Sequence, residues 1–260
     1  SHIDRETAST TLRTLLQQLV LSASSYVTPE RRTETLERVA EVLWSLASAA
    51  PAGSDTQFQF VKAFSGIASS EAQLDVVLQL LSGEIELEGL DIDTDLGWEL
   101  LIALAVGGRT TAAEIEAALA DDRTASGEQS AAHARAALPT LADKDTAWAS
   151  IFDAAGASNP IVRATALGFT RVADRATLEP FVDRFFASVS EVWESRSYAI
   201  AEEMIDGFYP SPLANEALAS ATRSWLDGNP SSPAALRRLI TEHLAGVTRA
   251  LAAQQTDAGV

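Results

Sequence analysis

Apolar residues recur along this chain at intervals of three and four, the signature of helices with one buried face. In "TPERRTETLERVAEVLWSLASAAP" the stripe runs Leu36, Val39, Ala40, Leu43, Leu46, Ala47. Thr28 is placed to cap it, Pro29 suits the first helical position and Pro51 stops it. Capping boxes are expected at Ser54 with Gln57, Ser70 with Gln73 and Thr111 with Glu114, because each pair can satisfy two orphan N–H groups reciprocally. Gly83 is expected to close the second of these helices. Further helices follow in "TLADKDTAWASIFDAAG", "SNPIVRATALGF", "ATLEPFVDRFFASV" and the long "SRSYAIAEEMIDGFYP". A final one opens at Ser232-Pro233 and carries Leu236, Leu239, Ile240, Val247 and Leu251. Only "GEIELEGLDID" approaches alternation, and it reads as a short extended loop or a small hairpin.

The stretch "DTDLGWELLIALAVGG" is a helix capped by Asp93 or Thr94, with Asp95 and Glu99 near its positive end. Leu96, Leu100, Ala103 and Leu104 make one stripe; Trp98, Leu101, Ile102 and Ala105 widen it, so burial on more than one side is expected. Gly107 and Gly108 end it, and Gly-Gly-Arg after a helix lacks the strand–loop–helix setting of a phosphate loop.

The predicted class is therefore all-α: a superhelical stack of antiparallel helix pairs, HEAT- or armadillo-like, with pairs recurring every ~35–45 residues. A single helical-repeat domain is expected over residues 9–255, with 256–260 a flexible tail. Residues 1–8, opening "SHIDRE" with Met204 the only methionine, read as a tag remnant or flexible start on a piece of a larger parent.

Composition narrows the partners. The net charge of −17 disfavours phosphate backbones and anionic lipid, so neither nucleic acid nor membrane is expected as a partner. The chain has no cysteine, which removes disulfides and thiolate metal sites and suggests a reducing, cytoplasmic compartment. No apolar run has the length of a membrane span.

Catalytic constellations are missing. A zinc peptidase of the H-E-x-x-H type needs two His on one helical face with a Glu beside them. This chain has only His2, His133 and His243, none spaced to pair. His2 falls in the expected remnant, His133 reads as exposed on an alanine-rich helix, and His243 as partly buried beside Ile240 and Val247. There is no G-x-S-x-G, and a Ser–His–Asp triad would rest on those same histidines. Carboxylate pairs abound on so acidic a surface and Glu202–Glu203 reads as a solvated face, as do Arg31–Arg32 and Arg237–Arg238, with Arg238 able to pair with Glu242. Trp44, Trp98, Trp148, Trp193 and Trp225 read as packing anchors between helices. Within Glu191–Pro212, Ser190 or Ser195 can cap. Arg196 and Tyr198 need polar partners if enclosed, either across helices or on a concave surface.

Four blocks, "GLDIDTDLGWELLIALAVGG", "EIEAALADDRTASGEQSAAHARAALPTLADKDTAW", "VWESRSYAIAEEMIDGFYP" and "PAALRRLITEHLAGVTRALAAQ", resemble in order and spacing the C-terminal helical domain of the zinc aminopeptidase N family, in its actinobacterial form. The resemblance runs from about Leu12 to Gln254. It implies a parent that removes N-terminal residues from peptides, with zinc held by H-E-x-x-H plus a distant Glu, and the substrate amino terminus held by a G-x-M-E-N loop. All of these belong to a separate catalytic domain. It implies further that the helical part closes over that domain to form a peptide-access chamber, is not catalytic alone and carries no metal or cofactor of its own. Its partners would then be the parent's catalytic domain and peptide substrates, with Arg196, Tyr198 and Glu202 as candidate chamber-facing polar contacts. The chain departs from the pattern in two places. Asp95-Leu96-Gly97-Trp98 stands where relatives have Asp-Leu-Arg-Trp, and Leu244-Ala245 where they have Arg-Asp, so any polar contacts made there in relatives are lost or replaced. The other reading is a free-standing helical-repeat scaffold that binds a protein or peptide in its groove.

Overall fold

The computed structural model describes residues 3, 6, 8–153 and 156–259. Among these the chain forms thirteen α-helices and no β-strand, as the periodicity requires. The expected remnant at 1–8, His2 included, lies largely outside the described residues. The helices gather into two compact units, residues 1–110 with 254–260, and residues 111–253.

The first unit holds α1 (Ser9–Leu21), α2 (Pro29–Ala49), α3 (Asp55–Ile67), α4 (Glu71–Ser82) and α5 (Thr94–Val106). α2 lies along α3, and α5 packs on both α3 and α4. Phe60, Val61, Phe64, Leu43, Leu80, Leu96 and Leu100 fill the core, each such side chain contributing about 1.5–3 kcal/mol by burial. The capping box at Ser70 and Gln73 forms, and Gly83 closes α4 in the left-handed conformation. At Ser54 the box is incomplete: its hydroxyl accepts from Gln57 N–H, but Gln57 Oε1 accepts from Gly53 N–H instead of returning to Ser54. Asp93 caps α5. Gly107-Gly108-Arg109 ends that helix as a Schellman motif. Gly108 N–H donates to Ala105 O at 3.1 Å and Arg109 N–H to Leu104 O at 2.8 Å, with Gly108 left-handed at φ 67°.

The alternating segment after α4 is a loop, not a hairpin. Its Ile85, Leu87, Leu90 and Ile92 are half-buried against the unit's core, which satisfies them without a strand partner. The start of α2 also differs from expectation. Thr28 occupies the N-cap, but its hydroxyl makes no cap bond; its N–H donates to Asp257 Oδ2 at 3.0 Å. A π-helical turn, Ser22–Tyr26, precedes it, and Gln254 Nε2 donates to Ser25 O at 2.9 Å.

The second unit holds α6 (Ala112–Asp121), α7 (Ala125–Ala137), α8 (Leu141–Phe152), α9 (Asn159–Thr170), α10 (Phe181–Ser195), α11 (Tyr198–Phe208), α12 (Glu216–Gly228) and residues 234–253 of α13 (Ala234–Ala258). Helix therefore continues through Thr256–Ala258, where a flexible tail is expected, because Asp257 and Gln254 anchor that turn. The capping box at Thr111 and Glu114 forms. α7 and α9 approach so closely that a Cβ on Gly168 would stand 2.1 Å from His133 O. Trp148 centres an aromatic cluster: it stacks on Phe152 at 3.8 Å and meets Phe208 edge-on at 5.9 Å. The other tryptophans pack likewise, Trp44 beside Phe64, with Trp98 and Trp225 buried. The helix read in "SRSYAIAEEMIDGFYP" starts later than its first residue: α10 runs on to Ser195, and the extended backbone of Arg196 (φ −105°, ψ 160°) separates it from α11. Ser190 thus lies inside α10 and Ser195 ends it, while Ser197 takes the N-cap position.

Candidate functional site

The break between α10 and α11 gathers the polar residues that the sequence singles out. Tyr198 opens α11 with 54% of its surface exposed, and its hydroxyl donates to Glu202 Oε1, one turn on, at 3.2 Å. Trp193, on the last turn of α10, meets the Tyr198 ring edge-on at 5.4 Å. The half-buried Arg196 points the other way, its Nη2 donating to Phe152 O at the end of α8 over 3.3 Å. Arg196 thus makes the cross-helix bond, while exposed Tyr198 and half-buried Glu202 form a pair on α11.

Across from them, α13 adds Arg238 and Glu242, which pair at 3.0 Å. Glu242's charge and hydrogen bond hold the Arg238 guanidinium above its ordinary pKa, with the Tyr198 hydroxyl a smaller contributor. Trp193, Tyr198, Glu202, Arg238 and Glu242 thus make one amphipathic patch. Sequence inspection finds the Arg238–Glu242 pair by its i,i+4 spacing but cannot join it to Tyr198, 40 positions away, since only packing of α11 near α13 does so. Farther along α11, Glu203 pairs with Arg163 of α9 and Asp206 with His243 of α13. Glu203 is therefore tied to a neighbouring helix and is not a simply solvated acid.

The patch suits hydrogen bonding to a peptide or protein surface, since it presents a ring edge, carboxylates and a guanidinium already held in place. It lacks an activated nucleophile. The Tyr198 hydroxyl faces a carboxylate on its own helix, and no base is oriented behind it among the described residues. His243 Nε2 stands 3.1 Å from Asp206 Oδ1, close enough for an ion pair when protonated but not aligned for a hydrogen bond. Its ring stacks on Tyr209, and no hydroxyl is bonded to it among the described residues. His133 is half-buried on α7, contrary to the expected exposure, because α9 crosses against that helix. Arg237 likewise is not simply solvated: it donates to Leu226 O and Asn229 O at 2.7 and 2.6 Å, satisfying the carbonyl end of α12. Arg32 is half-buried beside Val27 O, and burial lowers its pKa. Among the described residues no group of three or more His, Cys, Asp or Glu is arranged to hold a metal ion. Zinc therefore has no fitting donor set among them. No described helix is long and apolar enough to cross a membrane.

The described residues thus form helical units, with a polar patch at the α10–α11 break. Comparison with known families is specific: the chain belongs to the ERAP1-like C-terminal domain family, whose model matches residues 1–249. It is similar to Aminopeptidase N of Streptomyces lividans, 37% identical over 258 residues, which is 99% of this chain and 30% of that protein. The chain thus spans under a third of the length of this relative.

Proposed function

We propose that the chain serves as the C-terminal accessory domain of a zinc aminopeptidase N, closing over a catalytic domain to form the chamber through which peptides reach it. In this reading the parent removes N-terminal residues from peptides in the cytoplasm, zinc sits in the catalytic domain, and the helical domain does no chemistry alone. Its helix pairs belong to a HEAT-like superhelix, one domain in the parent. The patch of Tyr198, Glu202 and Arg238, with Arg196 bracing its base, faces the chamber and meets peptide or catalytic domain there.

The observation that carries the reading is the similarity across 99% of this chain to a 30% share of an aminopeptidase. The absence of cysteine agrees with a reducing compartment. The test compares the parent with a form lacking this region, on one-residue chromogenic substrates and on peptides of increasing length. Loss of cleavage, or loss of its dependence on peptide length, is expected. Unchanged kinetics on every substrate would remove the chamber role and leave the scaffold reading. The isolated chain is expected to show no turnover of aminoacyl substrates above a heat-killed control.

A further inference from the structure

Basic residues number 19, but only two are lysines, Lys62 and Lys144. Lys62 reaches Glu99 at the surface, as any cation here would. Lys144, on α8, is wholly shielded from solvent. Its Nζ donates to Ala136 O at 2.6 Å and to Gly168 O at 3.1 Å. These carbonyls lie in the last turns of α7 and α9, the two helices pressed together around Gly168. The amine is thus the polar pin of the seam.

Its donor count fits the neutral form. An ammonium carries three hydrogens and an amine two, and among the described residues Lys144 has two acceptors. No carboxylate among the described residues is bonded to it. Asp143, its neighbour on α8 and the charge acting on it, spends Oδ2 on Thr140 N–H and hydroxyl. Of the charges on the packed helices, Arg135 on α7 turns to Glu116, Arg163 on α9 to Glu203 and Arg184 on α10 to Asp145. Glu128 and half-buried His133 also ride on α7, and Arg171 follows α9. An arginine could make the same two bonds but could not shed its charge there.

We propose that Lys144 is a proton-operated latch on the α7–α9 seam: the neutral amine holds the seam closed, and proton uptake drives it toward an open form in which the ammonium reaches water. Burial supports this, bringing the amine from 10.5 down to about 7 against the weaker opposing pull of Asp143. In the open, hydrated form the amine regains its ordinary affinity for protons. Opening therefore becomes easier as pH falls, by up to about tenfold per pH unit between roughly 10 and 7.

The test is hydrogen–deuterium exchange on the protein between pH 6.5 and 9.5, corrected for intrinsic rates and read at the ends of α7 and α9. Protection there is expected to climb with pH, approaching tenfold per unit above about pH 7.5. Lys144→Met is expected to abolish the slope. A flat wild-type profile, or the same slope in Lys144→Met, overturns the latch. Should that variant fail to fold, labelling the two lysines with ¹³C at Cε gives two signals, Lys62 being the reference. A Lys144 midpoint at the ordinary value near 10 would overturn the latch equally.

Discussion

The ring of Tyr209 lies flat on the imidazole of His243, centroids 4.2 Å apart and planes 12° from parallel. The stack joins the end of α11 to α13, and the phenol end is fixed separately. Tyr209 Oη and Thr222 Oγ1 are hydrogen-bonded at 2.8 Å, and Thr222 hydroxyl contacts Leu218 O at 2.7 Å. Burial pushes the phenol from 10 up to about 12, the Thr222 bond opposing only in part. Between those values the folded chain keeps a proton that the unfolded chain has lost. Stability from this group is therefore intact below about pH 10 and falls as pH climbs toward 12, by at most about 1.4 kcal/mol per unit. Tyr209→Phe is expected to cost about 0.5–1.5 kcal/mol at neutral pH and to flatten that alkaline loss. Denaturant titrations from pH 8 to 11.5 check both.

Two glycines inside helices predict opposite outcomes. A Cβ on Gly168 would strike His133 O at 2.1 Å and Ala137 N at 3.0 Å, both backbone atoms that cannot swing aside. Gly168→Ala is expected to destabilise by at least about 3 kcal/mol, the upper end for overpacking. On α5, a Cβ at Gly97 meets nothing closer than Leu81 Cδ1 at 4.0 Å. Gly97→Ala is expected to stabilise by about 0.5–1 kcal/mol through helix propensity alone. Thermal melts of the two variants beside the parent sequence distinguish them.

The contrast marks what could be read in advance. The helices and most caps were legible because a 3.6-residue period and local Ser/Thr-to-Glu/Gln spacings are properties of adjacent residues. The boundary at Arg196 was legible only in part: Ser195 was a candidate cap beside Ser190, but Ser197 takes the N-cap position, and three nearby serines of like capping preference do not say which. The patch was half legible: Tyr198 and Glu202 sit one turn apart, but Arg238 joins them only through packing. Lys144 left a signal that charge alone conceals. Lys144, Ala147, Trp148 and Ile151 form one i, i+3, i+4, i+7 stripe, so a lysine occupies a core position of α8.

The last turn of α13 makes a testable clasp in the first unit. Asp257 takes the Thr28 N–H and pairs with Arg31 at 3.1 Å, and Gln254 holds Ser25 O. The Thr28 N–H, more than any other partner, keeps the Asp257 carboxyl below its usual range. A depressed carboxylate contributes stability above its ordinary pKa and loses it as pH falls below about 4. Asp257→Ala is expected to speed amide exchange in Ser22–Tyr26 at neutral pH, with the difference from wild type narrowing on acidification. Equal exchange in the two proteins at neutral pH would show that the clasp holds nothing.

The patch at the α10–α11 break separates a role in folding from a role in meeting another surface. Tyr198 is more than half exposed and the Arg238–Glu242 pair is exposed on both sides, so neither is worth much to the fold. Tyr198→Phe deletes only solvent-accessible hydrogen bonds, and Arg238→Ala leaves Glu242 in water; neither is expected to move the domain's melting temperature appreciably. Arg196→Ala differs, because it strips a donor from Phe152 O beside the aromatic cluster, and a loss of about 1 kcal/mol is expected. If the chain belongs to an aminopeptidase parent and the patch lines its peptide chamber, Tyr198→Phe and Arg238→Ala in that parent raise KM for long peptides while leaving one-residue substrates unaffected, since only long peptides would reach that far. Equal KM values for long peptides in wild type and both variants, with melting temperatures unchanged, would assign the patch to solvent.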